Sequence, residues 1–111
     1  MTTKSPITTH ILDTSLGRPA AGVEVRLYRA DAELGRGTTD ADGRIATLME
    51  PGALTRGTYR LVFETGAYFA AQDRASFYPS VEITFTVAAE GEHYHVPLLL
   101  NPYGYSTYRG S

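Results

Sequence analysis

There is no cysteine among the 111 residues. That absence removes disulfides, thiolate nucleophiles and the common structural zinc sites together. No apolar run approaches the roughly 20 residues that a membrane-spanning helix requires. The opening Met1-Thr2-Thr3-Lys4-Ser5-Pro6 has no apolar signal core, and the closing Arg-Gly-Ser is not a peroxisomal address. These features lead to the expectation of a cytoplasmic protein without a membrane partner. Positive charge is also scarce. A formal net charge of −2 offers no basic field for a polyanion, which argues against nucleic acid as a partner. A G-x-S-x-G elbow, a Gly-rich phosphate loop and a paired-carboxylate motif are missing as well.

What is present reads as an ordinary folded domain. A composition 42% hydrophobic and 20% charged excludes a disordered chain. The length predicts a single domain, 1–111, able to bury roughly two-thirds of its unfolded surface without staples. Period-two alternation dominates. Val23, Val25 and Leu27 face one way, with Glu24, Arg26 and Tyr28 opposite. Tyr59, Leu61 and Phe63 repeat the pattern, and Val81, Ile83, Phe85 and Val87 extend it. Such alternation fits antiparallel strands with one face on a core.

The pattern predicts strands near 7–13, 23–29, 34–39, 44–48, 58–64, 80–88, 92–100 and 103–108, hence an all-β sandwich. Turn chemistry at Gly17-Arg18-Pro19, Asp40-Ala41-Asp42-Gly43, Glu50-Pro51-Gly52 and Glu90-Gly91 separates them. The stretch 65–74 reads as one short helix, with Thr65 as its cap and Ala67, Ala70 and Ala71 favouring it. Pro97 cannot donate to a ladder, so it predicts an edge, a bulge or a bend just after His95.

The polar and aromatic residues concentrate in two places. His10 lies in the first strand on the parity of Thr8 and Leu12. It reads either as a partly buried histidine bonded to backbone or as a general base or substrate donor. His93 and His95 share one strand face. An H-x-H pair can hold a metal, with His10 as a third nitrogen. Against that, His93 adjoins a turn and is expected to be solvated, which leaves His95 as the better site candidate. Arg44 follows Asp42-Gly43. It is either a solvated residue beside a turn or a fixed cation for a developing oxyanion. Tyr103 and Tyr105 read as sheet or interface packing, whereas Tyr108 has the opposite parity and aims elsewhere.

Taken together, four segments carry a specific likeness. They are His10-Ile11-Leu12-Asp13-Thr14-Ser15-Leu16-Gly17-Arg18-Pro19-Ala20, Thr39-Asp40-Ala41-Asp42-Gly43-Arg44, Tyr94-His95-Val96-Pro97-Leu98-Leu99-Leu100 and Tyr108-Arg109-Gly110-Ser111. In order and spacing the chain closely resembles the 5-hydroxyisourate hydrolases, the transthyretin-related proteins of urate breakdown. The closing tetrapeptide is the most specific part, because it marks the hydrolases and is absent from transthyretin, the hormone carrier that shares their fold. One departure is Asn101, where Ser is more usual, and either residue opens a turn there.

The resemblance implies a transthyretin-like sandwich of two four-stranded sheets with a short helix. It also implies a homotetramer, a dimer of dimers, with sites at the subunit interface in a central channel. The implied substrate is a small purine derivative, 5-hydroxyisourate, opened by water to 2-oxo-4-hydroxy-4-carboxy-5-ureidoimidazoline. No cofactor and no metal are implied. Carried over by position, the catalytic set falls on His10, Arg44, His95 and Ser111. The substrate-binding set falls on His10, Arg44, Tyr108, Arg109 and Gly110. His93 matches no catalytic position. The alternative is a non-catalytic transthyretin-like carrier of small molecules.

Overall fold

A computed structural model describes residues 5–51 and 54–111, so Gly52 of the expected Glu50-Pro51-Gly52 turn lies outside the described residues. Eight strands form two four-stranded sheets. The strands are β1 (Ile7–Asp13), β2 (Arg18–Pro19), β3 (Glu24–Arg29), β4 (Ala32–Thr38), β5 (Gly57–Phe63), β6 (Val81–Val87), β7 (Tyr94–Asn101) and β8 (Gly104–Thr107). One sheet has the order β2-β1-β7-β8, the other β4-β3-β5-β6. The core between them is built from the inner faces of β1, β3, β5, β6 and β7. Ile7 and Ile11, Val25 and Leu27, Leu61 and Phe63, and Leu98 and Leu100 are all buried there.

The single short helix, α1 (Thr65–Ala70), ends sooner than expected. Backbone bonds from Gln72 to Phe69, Asp73 to Ala70 and Arg74 to Phe69 close a turn after it, with Asp73 at a φ of 54°. Its cap residue is Glu64 rather than Thr65, and no side chain caps the first turn. The Glu64 carboxylate instead pairs with Arg26.

Two further expectations give way to packing. The segment 44–48 is not a strand. Ile45, Leu48 and Met49 are buried while Ala46 and Thr47 are exposed, a spacing that no period of two can deliver. Only Arg44 joins a sheet, through an isolated antiparallel bridge to His10. Of the edge, bulge or bend expected at Pro97, the edge is excluded, since β7 lies between β1 and β8. Successive residues of a strand turn their backbone groups to opposite sides. Leu100 accepts from Thr14 on the β1 side and His95 accepts from Gly110 on the other, so Pro97 faces β8. There the ladder stops at Leu98↔Thr107 and resumes only as the bridge His95↔Gly110. The missing N–H therefore falls in a gap where no partner is deprived. The register is unbroken across that gap, which sets Tyr108 opposite Pro97.

At the other end of β1, Asp13 is fully buried. It accepts from Tyr68 Oη (2.8 Å), Ser15 Oγ (2.5 Å) and Arg74 Nη2 (2.6 Å). Burial alone pushes its pKa up. The hydrogen bonds from Ser15, Arg74 and Tyr68, with the Arg74 charge, outweigh burial and hold it below the ordinary 3.8. This knot ties α1 and the chain after it to the sheet that carries the histidines.

Candidate active site

The parallel pairing of β1 with β7 joins the two distant ends of the sequence. Its register matches Thr8 with His95, His10 with Pro97 and Leu12 with Leu99. Ile7, Thr9, Ile11 and Asp13 point into the core, so Thr8, His10 and Leu12 occupy the outer face. His95, Pro97 and Leu99 lie beside them on that face. His10 and His95 are one strand across and two residues along, which places their Cα atoms about 8 Å apart at ordinary sheet spacings.

Arg44 is brought to the same face by its turn. Asp40 Oδ1 accepts from the backbone N–H groups of Asp42 (2.9 Å) and Arg44 (3.1 Å), and Gly43 N–H donates to the Asp40 carbonyl (2.9 Å). Gly43 has a φ of 74°, and a Cβ there would lie 2.4 Å from the Ile11 carbonyl oxygen. Only glycine permits this close approach, which also carries the Ile11 N–H to Gly43 carbonyl bond of 2.9 Å. Because cross-strand partners project together, the bridge His10↔Arg44 sends both side chains to the same face.

The tail closes from the other side. Gly110 N–H donates to the His95 carbonyl (2.8 Å). Gly110 stands opposite His95 in register, so a side chain there would project along the imidazole. A Cβ would lie 2.6 Å from His95 Cδ2 and 3.2 Å from Pro97 Cγ. Arg109 has the other parity. Its guanidinium pairs with Glu92 (3.0 Å) and lies over the Tyr94 ring at 4.6 Å, away from the histidines. Tyr108 is 58% exposed on the outer face.

An open cleft of about 1030 Å³ lies at this end of the sheet, with Thr8, Asp40, Arg44, His95 and Ser111 among its walls. His10 stands between wall residues without lining the cleft itself, and Tyr108, Arg109 and Gly110 do not line it. The structure thus gathers Arg44, His95 and Ser111 around one hollow, sets His10 beside it through the bridge to Arg44, keeps Tyr108 and Gly110 at its margin, and turns Arg109 away. His93 is exposed, as its neighbouring turn suggested, but Thr8 draws it to the hollow. Thr8 Oγ1 is 2.8 Å from His93 Nε2 and 2.8 Å from His95 Nδ1. Thr8 was overlooked in the sequence, where its parity with His10 was its only signal.

His95 is half-buried. Burial first, then the positive charge of Arg44 and the neighbouring His93 and His10, hold its pKa below the ordinary 6.5. Its imidazole is therefore neutral at physiological pH and able to take a proton. Among the described residues, no group of three or more His, Cys, Asp or Glu side chains is arranged to hold a metal ion. His93 and His95 converge on the Thr8 hydroxyl instead. What the arrangement can do is accept a proton at a half-dry imidazole beside a fixed cation, the elements of an acyl hydrolysis.

Comparison with known proteins agrees with this fold. Residues 7–110 match the family described as HIUase/Transthyretin. The 5-hydroxyisourate hydrolase of Mus musculus is 47% identical, over 99% of this chain and 98% of that protein. The solved structure of Klebsiella pneumoniae 5-hydroxyisourate hydrolase superposes with a TM-score of 0.87 at 46% identity, covering 95% of this chain and 92% of that one. Sea bream transthyretin in complex with thyroxine superposes with a TM-score of 0.88 at 34% identity, covering 96% of this chain and 95% of that one.

Proposed function

The chain belongs to the HIUase/Transthyretin family, and from that premise we propose that it hydrolyses 5-hydroxyisourate in urate breakdown, with the whole of residues 1–111 acting as one catalytic domain. The observation that carries the reading is the convergence of the half-buried His95 imidazole and the Arg44 cation on one cleft.

In this reading His95 takes a proton from water, and the resulting hydroxide oxygen bonds to the acyl carbon of the six-membered ring. The carbonyl electrons move to oxygen, where Arg44 faces the developing negative charge. Collapse breaks the carbon–nitrogen bond, and the proton held on His95 passes to the departing nitrogen. His10, beside Arg44, orients the heterocycle. Ser111 supplies a polar wall, and Tyr108 covers the margin. Arg109 contributes by latching the tail to Glu92 and Tyr94, so that Gly110 holds its place over the His95 ring. The chemistry as written uses no cofactor.

We assign the working form to a homotetramer, a dimer of dimers with the cleft at a subunit interface. Two features support that assignment. The edge strands β6 and β8 lie on the same side of the sandwich. Phe77 N–H, just before β6, donates to the Pro102 carbonyl, just before β8 (2.8 Å), and Tyr78 meets Tyr105 edge to face at 5.5 Å. Two adjacent open edges suit pairing with a second copy. The outer face around His10 carries Leu12 and Leu99, both only half-buried, which a second dimer would cover. A cytoplasmic location is part of the same proposal and rests on the cysteine-free composition. Among the described residues no helix is long and apolar enough to cross a membrane.

The carrier reading draws on the likeness to the thyroxine-bound sea bream protein. It ranks second because 34% identity there stands against 47% to the mouse hydrolase. The deciding experiment generates 5-hydroxyisourate with urate oxidase and follows its ultraviolet absorbance. Decay faster with the protein than without it supports the hydrolase, and an unchanged decay rate leaves the carrier.

A further inference from the structure

One hydroxyl between two imidazoles raises a question of proton count. Thr8 Oγ1 lies within hydrogen-bond distance of both His93 Nε2 and His95 Nδ1, at 2.8 Å each. A threonine hydroxyl has a single proton to give. It can therefore donate to only one ring, and the other nitrogen must carry its own hydrogen.

Two neutral arrangements use both contacts. In the first, Thr8 donates to His95 Nδ1 and accepts from His93 Nε2–H. His95 then carries its proton on Nε2 and is a donor where a base is needed. In the second, His95 Nδ1–H donates to Thr8, and Thr8 passes its own proton to His93 Nε2. That arrangement leaves His95 Nε2 with a free lone pair, and this nitrogen has no hydrogen-bond partner among the described residues. Only the second lets His95 take a proton from water.

We propose that Thr8 is a positioning residue for the hydrolysis: its hydroxyl, oriented by His93, holds His95 in the Nδ1-protonated tautomer so that Nε2 is the working base. The inference rests on the proposed function, since it names the nitrogen on which that chemistry turns. The sheet builds the device. Thr8 and His95 are matched residues of the β1–β7 pair, so their side chains project together from adjacent strands. Gly110 leaves no room beside the ring, where a Cβ would meet His95 Cδ2 at 2.6 Å. Threonine's stiff χ1 limits where the hydroxyl can swing. When His95 becomes cationic, its Nδ1–H keeps the same acceptor, and a hydrogen bond to a charged group is the stronger kind.

The wild-type tetramer is read first. Two-bond nitrogen–proton spectra of the histidine side chains, taken above pH 7.5, should show His95 protonated on Nδ1. A proton on Nε2 would overturn the proposal, whatever the activity. Thr8→Val then removes the hydroxyl at nearly constant volume, and Thr8→Ala removes it with less bulk. Whichever assembles as the parent does is measured.

Its His95 signal should shift toward mixed tautomers. Its kcat should fall roughly 10- to 100-fold, the range expected when a hydrogen bond to a group that becomes charged is lost, with KM within about twofold. Thr8→Ser, which keeps the hydroxyl, should recover most of the rate. Wild-type kcat with an unchanged His95 signal in the hydroxyl-free variant would refute the assignment. Equal losses in Thr8→Val and Thr8→Ser would also refute it, by showing a packing role. If the parent fails to open 5-hydroxyisourate, the proposed function falls while the tautomer result is judged separately.

Discussion

Adding one methyl group at Gly110 should cripple the site while barely touching the fold. A Cβ there would lie 2.6 Å from His95 Cδ2 and 3.3 Å from Cγ. Carbon atoms settle at about 3.5–4.0 Å, so roughly 0.9 Å of overlap must be relieved. Two movements can relieve it. The tail can lift, which gives up the Gly110 N–H to His95 carbonyl bond of 2.8 Å. Alternatively the imidazole can turn, which gives up its 2.8 Å contact with Thr8. Either loss is one hydrogen bond, about 0.5–1.5 kcal/mol of stability. For a chain of this size that lowers Tm by roughly 2–6 °C.

The catalytic cost is larger, because a misplacement of about 1 Å at the reacting groups can cost on the order of 100-fold in rate. Gly110→Ala should therefore lose about two orders of magnitude in kcat/KM in the urate-oxidase-coupled assay, with a melting curve close to the parent's. Gly104→Ala is the internal control. A Cβ there meets Asn101 only at 3.7–3.8 Å, and its rate should stay near wild type. A Gly110→Ala protein working within about twofold of the parent would refute the claim that the tail holds the His95 ring in place.

Arg44→Ala should cost at least roughly 100-fold in kcat, the usual loss for one oxyanion donor, while the exposed position leaves folding intact. Full activity in correctly assembled protein would remove Arg44 from the chemistry. Because burial and the Arg44 charge hold His95 below 6.5, the acid limb of kcat/KM should fall below that pH. In Arg44→Ala the limb of the residual activity should move up toward it, and a parental limb at or above 6.5 contradicts a depressed His95. The same depression means the unfolded chain binds the His95 proton more readily, so His95 weakens folding as pH drops from 6.5 toward its folded value. Asp13→Ala should destabilise by about 3 kcal/mol in urea melts, since it strands Arg74 and Tyr68 around a lost buried charge. Asp13 has a depressed folded pKa, so its contribution is present above 3.8 and is lost as pH falls through the folded value. A flat acid profile of stability would count against that role.

Much of the architecture was open to inspection in the residues themselves. Val25-x-Leu27, Tyr59-x-Leu61 and Val81-x-Ile83 alternate because those segments have one wetter and one dry face, and that periodicity is a local property. The Asp40–Gly43 turn was equally legible, because an Asx-type bond and a positive φ act within four residues. Where burial was irregular, local patterns misled. Residues 44–48 mimic a strand, yet Ile45, Leu48 and the following Met49 enter the core with a spacing that only the surrounding walls define. Pro97 left an edge, a bulge or a bend open, because nothing in its neighbours reveals a gap in a ladder formed with residues ten positions away.

The site divides along the same line. The identities of His10, Arg44, His95 and the tail stood out in the sequence, and so did the parity that keeps the strand residues out of the core. Their meeting did not. Thr8 and His95 are 87 residues apart, and only the parallel pairing of β1 with β7 makes them neighbours. Tertiary packing alone decided which hydroxyl the His95 imidazole shares and which tail residue has no room for a side chain. Each of those depends on what faces a residue across the sheet, and periodicity along one strand carries no record of its partner.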